Sequence, residues 1–208
     1  MSENTILITI IAIGLAILTS YHFHNRDFYR HLFEWEAAFD AGLDFAHLTK
    51  SILKKVMEET SASAGIIYWF DEVQNEYKLK SLAGIPAEQI NQVAGVLRQP
   101  GGVLDRVRDG SGVYQIALRL VRNCPEAELA PSYRTLLVIP LIIEKRPLGS
   151  LFLFKTQGRF TPRQQNLLTL FASRSAIRLE NARLYRLAKE TALENTKLYI
   201  NLSKLYQQ

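Results

Sequence analysis

The chain has 208 residues, of which 48% are hydrophobic and 22% are charged. This composition excludes a disordered chain and a protein with many membrane spans, and the length suits one domain with short additions. A single cysteine, Cys124, excludes an internal disulfide and a multi-cysteine metal site. The net charge of +5 comes from dispersed basic residues. Without a basic block this does not indicate nucleic-acid binding, and an anionic membrane surface is the simpler partner.

The N-terminal segment Thr5–Tyr21 is apolar and carries no charge. As a helix it would be roughly 26 Å long, close to the thickness of a hydrocarbon core. A secretory signal peptide is the alternative, but the residues before the run contain Glu3 and no basic residue, and no Ala-x-Ala site follows. We therefore predict an uncleaved transmembrane anchor over residues 1–22.

Basic residues follow this segment and none precedes it: Arg26 and Arg30 lie just beyond it. The positive-inside rule then predicts a single-pass protein of the cell membrane with its C-terminal part in the cytoplasm. His22 and His24 could suggest a metal site, but polar residues at headgroup level explain them more simply. Residues 23–41 keep a helical spacing of apolar residues and predict a juxtamembrane helical linker.

Alternating and helical patterns then predict a domain of mixed elements. In chain order these are helix Leu43–Glu59, strands Gly65–Phe70 and Tyr77–Ala83, helices Pro86–Leu97 and Val103–Arg108, a turn at Asp109–Gly112, strand Val113–Ile116, strands Arg134–Ile143 and Leu148–Lys155 around a turn at Glu144–Pro147, and a long helix from Pro162. Thr161 is the expected N-cap of that last helix, with a buried stripe of Leu167, Leu168, Leu170, Phe171, Ile177 and Leu179. Residues 117–132 read either as a helix broken at Pro125 or as a mobile lid. The order predicts an α+β fold, an antiparallel sheet sandwiched by helices.

Five short motifs in the second half of the domain resemble the GAF domain family. They are Val138-Ile139-Pro140-Leu141, Pro147-Leu148-Gly149-Ser150-Leu151, Phe160-Thr161-Pro162, Leu167-Leu168 and Glu180-Asn181-Ala182-Arg183-Leu184-Tyr185. The first half agrees more weakly, and the resemblance extends over residues 42–186. It implies a small-molecule sensor or dimerisation module rather than an enzyme, with the ligand and any cofactor left unknown.

Specialised members of the family fit less well. The sequence lacks the Asn-Lys-x-Asp/Glu motif of cyclic-nucleotide-binding members, and one cysteine argues against a methionine-sulfoxide reductase. Cys124 lies roughly where bilin-binding members attach their chromophore. However, Pro125 follows it where the family usually has a histidine, so a bilin-type chromoprotein is kept only as an alternative.

The resemblance implies a ligand pocket between the sheet and residues 100–132. The candidate ligand-binding residues around that region are Tyr114, Arg119, Arg122, Cys124, Tyr133 and Arg134. Three arginines would favour a small anionic ligand. Surface arginines beside a filled core are the alternative, and the protein would then be a dimerisation scaffold with an empty pocket.

A heptad pattern continues into the C-terminal segment, residues 187–208. Its d positions are Ile177, Leu184, Thr191, Leu198 and Leu205, and its a positions are Asn181, Ala188, Asn195 and Leu202. Polar residues at a make a weak coiled coil, which favours a parallel homodimer that can change its packing. A single helix lying on the domain is the alternative. In related proteins such an arm commonly leads into a kinase or cyclase effector, and that class of partner is expected whether this sequence is complete or part of a longer chain.

Overall fold

A computed structural model describes residues 44–108 and 112–205. The predicted anchor, the linker and most of the predicted turn at Asp109–Gly112 lie outside these residues. Within them, no helix is long and apolar enough to cross a membrane. The elements are α1 (Phe45–Thr60), β1 (Ala64–Asp71), β2 (Glu76–Ala83), α2 (Ile90–Arg98), α3 (Val103–Arg108), β3 (Tyr114–Ala117), β4 (Thr135–Ile143), β5 (Arg146–Lys155) and α4 (Pro162–Leu205), with short 3₁₀ helices at Ala87–Gln89 and Pro125–Leu129.

The five strands form one antiparallel sheet in the order β2-β1-β5-β4-β3. Both predicted hairpins are confirmed, and they join through the pairing of β1 with β5 at the centre of the sheet. The β4–β5 turn is shorter than predicted, because Glu144 and Lys145 both have positive φ angles and complete the reversal by themselves. Such a two-residue turn matches the twist of the flanking strands, so β5 begins already at Arg146.

Helices cover both faces of the sheet, which confirms the predicted sandwich. On the first face, Tyr68, Phe152 and Phe154 pack in one core cluster with residues of α2 and α3. On the second face, Trp69 contacts Phe45 of α1 edge to face, with ring centroids 5.2 Å apart. Because β4 and β5 are covered on both sides, nearly all of their side chains are buried.

Two residues of the family motifs have clear structural reasons. A Cβ at Gly149 would overlap the carbonyl oxygen of Tyr68, so glycine permits the close approach of β5 to β1. Pro140 lies in β4 beyond the last residue that β3 pairs, which is Val138, and just before a register shift at Leu141 and Ile142. A residue without a backbone donor is therefore placed where the outer edge of β4 is free.

The helix boundaries differ from prediction in two places. The segment predicted as one helix from Pro86 begins as a 3₁₀ turn and becomes α-helical only at Ile90. Pro125 does not break a helix but begins the 3₁₀ helix that ends at Leu129, because proline suits the first turn, where its missing N–H is not needed.

The long helix α4 starts as predicted. The Thr161 hydroxyl accepts a hydrogen bond from the Gln164 N–H, and the Gln164 side chain accepts one from the Thr161 N–H. This reciprocal cap satisfies two free backbone donors. The predicted buried stripe is confirmed at Leu168, Phe171 and Leu179.

The same stripe is wrong at two positions, since Leu170 is 46% exposed and Ile177 is 50% exposed. Small residues are buried instead, among them Ala172, Ala176 and Ala182. They let α4 lie close to the sheet, and this orientation turns the larger side chains outward.

Candidate functional site

The structure separates the six predicted ligand-binding residues. Tyr133 is buried in the core and packs on Phe154, with ring centroids 4.8 Å apart. Arg119, Arg122 and Arg134 have exposed side chains at the surface. That these three arginines contact a ligand stays a prediction.

A partly buried polar cluster lies in the region where the pocket was predicted, and it includes the predicted residue Tyr114. Arg106 of α3 donates a hydrogen bond from Nη2 to Oε1 of Glu126 over 2.9 Å. Its guanidinium also lies 5.7 Å from the centroid of the Tyr114 ring. Three short elements, α3, β3 and the 3₁₀ helix, thus bring a cation, a carboxylate and a phenol together.

This cluster has spare hydrogen-bonding capacity. Glu126 is 0% exposed. Its Oε2, the Nε of Arg106 and the Tyr114 hydroxyl are buried and make no hydrogen bond of good geometry, although Arg106 lies close enough to the Tyr114 hydroxyl to lower its pKa. Leaving such groups unpaired costs about 1–3 kcal/mol each, so the arrangement favours occupation by water or a small polar ligand that offers both donors and acceptors.

Sequence reasoning missed Arg106 and Glu126. A glutamate in the first turn of a short helix is ordinarily solvated, and nothing in its neighbourhood signals burial. Glu126 becomes buried only because the 3₁₀ helix Pro125–Leu129 packs against the rest of the domain. Arg106 lies in the last turn of α3, where a basic residue is usually exposed, so the sequence gave no sign of its role either.

The thiol of Cys124 lies next to this cluster and is half-buried. Burial raises its pKa, and the neighbouring Glu126 carboxylate raises it further. Burial likewise raises the pKa of the Tyr114 hydroxyl, against the opposing effect of Arg106. Both groups are thus neutral at physiological pH, and a protonated thiol is a poor nucleophile. Within the described residues, no group of three His, Cys, Asp or Glu side chains could hold a metal ion.

A second feature is the ion-pair network where α4 leaves the sheet. Glu180 accepts hydrogen bonds from Arg183 at 2.7 and 2.8 Å and from Arg146 at 2.9 Å. Arg146 also lies 3.4 Å from the carboxylate of Glu72. The motif that begins at Glu180 therefore fastens α4 to both hairpin turns of the sheet.

A third feature is an exposed apolar stripe on α4, here called the seam. Leu170, Ile177 and Leu184 recur at intervals of seven residues, and all three are about half exposed. Leu198 and Leu202 continue the pattern and are exposed to a similar degree. Apart from Leu170, which extends the pattern by one heptad, the seam residues are predicted d and a positions. The seam lies away from the buried alanines.

The comparisons agree with this architecture. The sequence pattern of the GAF domain matches residues 42–180, which is more than half of the chain. The chain therefore belongs to the GAF domain family. No curated protein sequence matches the chain.

Solved structures with the same fold include the GAF domain of a phosphoenolpyruvate-protein phosphotransferase from Coxiella burnetii. It has a TM-score of 0.64 and 20% identity, covering 77% of this chain and 96% of its own. The GAF domain of a candidate sensor histidine kinase from Pseudomonas syringae pv. tomato has a TM-score of 0.60 and 14% identity, covering 84% and 99%. At these identities the likeness shows the fold alone.

Proposed function

We propose that this protein is a membrane-tethered sensor: its GAF domain binds a small molecule at the Arg106–Glu126 cluster, forms a parallel homodimer, and transmits the bound state through α4. It performs no catalysis in this proposal. Domains of this family typically serve as sensor modules of signalling proteins, and the solved structures with this fold include one from a methyl-accepting chemotaxis protein.

The observation that carries the proposal is the division of α4 into two parts. Up to about Arg183 the helix packs on the sheet, and beyond it every described side chain is exposed. One uninterrupted helix of 44 residues thus links the domain to a free arm. Sharp kinks in helices arise mainly at proline, at glycine or at bulges. The helix α4 contains no glycine and has its one proline at the first position, so a shift at the sheet would move the arm.

Dimerisation is supported by the seam. An apolar row at heptad spacing that a monomer leaves exposed is typical of a helix that pairs with a second copy. Asn181 and Asn195 lie at a positions, and polar residues there favour one register at a cost in stability. A weak pairing of this kind suits a helix that changes packing when the domain changes.

The membrane part of the proposal rests on the sequence. The uncharged run Thr5–Tyr21 and the basic residues after it support an anchor with the domain on the cytoplasmic side. The positive net charge suits a protein close to an anionic lipid surface. A kinase or cyclase effector is the proposed receiver of the signal.

A native mass spectrum of the full-length protein, purified from the organism that makes it, tests the proposal. We expect a dimer with a discrete added mass that is lost in the Glu126→Gln variant and released on denaturation. An added mass that survives denaturation and absorbs visible light would instead indicate a chromophore on Cys124. A dimer that never carries an added mass favours a scaffold, in line with the well-filled core around Tyr133 and Phe154.

A further inference from the structure

A separate cavity of about 250 Å³ lies on the second face of the sheet, beside edge strand β2 where α4 leaves the domain. Its apolar lining includes Phe45, Trp69, Leu148 and Leu187. Because Trp69 points to α1 whereas Tyr68 belongs to the core of the opposite face, this exit cavity is distinct from the Arg106–Glu126 cluster. Its volume is just below the range of about 300–1,000 Å³ for drug-sized ligands, which suits a small metabolite.

Charged residues at the exit cavity leave a positive excess. Three cations and two carboxylates line it. Both carboxylates already have partners outside the lining, since Asp71 lies 2.6 Å from Lys78 and Glu72 lies 3.4 Å from Arg146. Among the cations, Arg183 is held by Glu180.

The other two cations, Lys80 and Arg186, are largely unneutralised. Lys80 has no ion-pair partner within the described residues. Arg186 approaches only the exposed Glu190, at 3.8 Å, and its guanidinium lies 5.9 Å from the centroid of the Phe45 ring. Burial and the positive charges of Lys78 and Arg186 lower the pKa of Lys80, and the Asp71 carboxylate opposes this only in part. An anion between these two side chains would relieve that repulsion.

We infer that the exit cavity is a binding site for a small aromatic carboxylate. The ring packs on Trp69 and Phe45, and the carboxylate lies between Lys80 and Arg186. Aromatic side chains favour an aromatic ligand through offset or edge contacts. A single carboxylate group can accept hydrogen bonds from both Lys80 and Arg186, the two largely unneutralised cations, whereas a doubly charged phosphate would also be repelled by Asp71 and Glu72.

Occupation of this site has a direct consequence for the arm. Lys80 belongs to the sheet edge, whereas Arg186 and Leu187 are among the first residues of α4 beyond the packed part. A ligand that joins them stabilises one orientation of the arm against the sheet. The exit cavity thus offers a second input, independent of the small molecule proposed at the Arg106–Glu126 cluster.

Phenylacetate and its uncharged analogue phenylacetamide test the inference as a matched pair on the full-length protein. In a Trp35→Phe background, Trp69 is the remaining tryptophan, and its fluorescence reports binding at the cavity. We expect phenylacetate to change that fluorescence and to bind at least about tenfold more tightly than the amide. Calorimetry gives both affinities.

Variants locate the contact. Lys80→Gln and Arg186→Gln should each weaken phenylacetate binding about tenfold, while Lys50→Gln and Arg163→Gln remove an exposed charge elsewhere on α1 and α4 and should leave it unchanged. All four positions are exposed, so folding is retained and can be checked by thermal unfolding. Glu126→Gln should not affect phenylacetate either.

Several results would overturn the inference. These are no phenylacetate binding at millimolar concentration, equal affinity for the amide, or unchanged affinity in both Lys80→Gln and Arg186→Gln. Loss of binding in Glu126→Gln would also overturn it, because the ligand would then occupy the other site.

Discussion

Arg146, the first residue of β5, donates a hydrogen bond over 2.9 Å to Glu180 of α4, and so ties the β4–β5 turn to the helix that leaves the domain. Glu180 is only 7% exposed although it carries a charge. A carboxylate in that position is tolerated because Arg146 and Arg183 both donate to it. This charged contact therefore adds to the buried side chains that pack α4 on the sheet, and it holds the helix close to the point where the helix leaves the domain.

Removing the charge of Glu180 should loosen this anchor. We expect Glu180→Gln to lower the free energy of unfolding by about 2 kcal/mol, because hydrogen bonds between charged groups are lost in a mostly buried place. Arg146→Gln should cost less, about 1 kcal/mol, because its side chain is half exposed and water replaces the partner. Urea denaturation followed by circular dichroism measures both, and equal costs for the two variants would contradict this account.

The same contact predicts a pH dependence. Hydrogen bonds from Arg183, and the charges of both arginines, lower the pKa of Glu180 from its ordinary value of 4.5. A lowered pKa in the folded state contributes stability that is present above the ordinary value and is lost as the pH falls through the folded one. Below about pH 4.5 the wild type should therefore lose stability more steeply than Glu180→Gln. Parallel acid unfolding curves for the two proteins would argue against the ion pair.

Charges placed in the seam should separate the proposed dimer. We expect Leu184→Glu and Leu198→Glu to yield monomers, because facing carboxylates repel each other and the apolar contact is lost. Thr196→Glu introduces the same charge on the exposed arm away from the seam and should leave the dimer intact. Light scattering after size exclusion distinguishes the states. Dissociation by Thr196→Glu as well would mean that charge on the arm, and not the seam, controls association.

Cys124 should react slowly with alkylating reagents. Burial and the Glu126 carboxylate hold its pKa above the ordinary value of 9.0, so little thiolate exists at neutral pH. The midpoint of the alkylation rate against pH should fall in Glu126→Gln, because the repelling charge is gone. As the chain has one cysteine, mass spectrometry follows this reaction without interference. An unchanged midpoint would show that burial alone raises the pKa.

Two glycines give opposite predictions for the same substitution. Gly149→Ala should destabilise the protein by roughly 2 kcal/mol, since the new methyl group meets the backbone of Tyr68 and the ring of Trp69. Gly95 lies in α2 with open space around the position of a Cβ. Gly95→Ala should therefore stabilise the protein by about 0.5–1 kcal/mol. Denaturant midpoints measured side by side test the pair, and destabilisation by Gly95→Ala would contradict the helix assignment there.

Local patterns in the sequence determined much of the fold. The two hairpins, the cap of α4 at Thr161 and the antiparallel sheet covered by helices follow from alternation, turn residues and capping chemistry. These signals act between residues close in the chain, so the sequence displays them directly. The family motifs identified the GAF domain family, whose sequence pattern matches residues 42–180.

Only the tertiary structure decided which segments distant in sequence contact each other and which side chains those contacts bury. It paired β1 with β5, buried Ala172 and Ala176 in place of Leu170 and Ile177, and enclosed Glu126 beside Arg106. It also formed the exit cavity from α1, α4 and strands β1, β2 and β5. Burial depends on the sum of contacts that elements far apart in sequence make after they pack, and no local pattern records that sum. A polar residue at a helix start and an apolar residue on a helix look the same in sequence whether the neighbouring layer covers them or leaves them exposed.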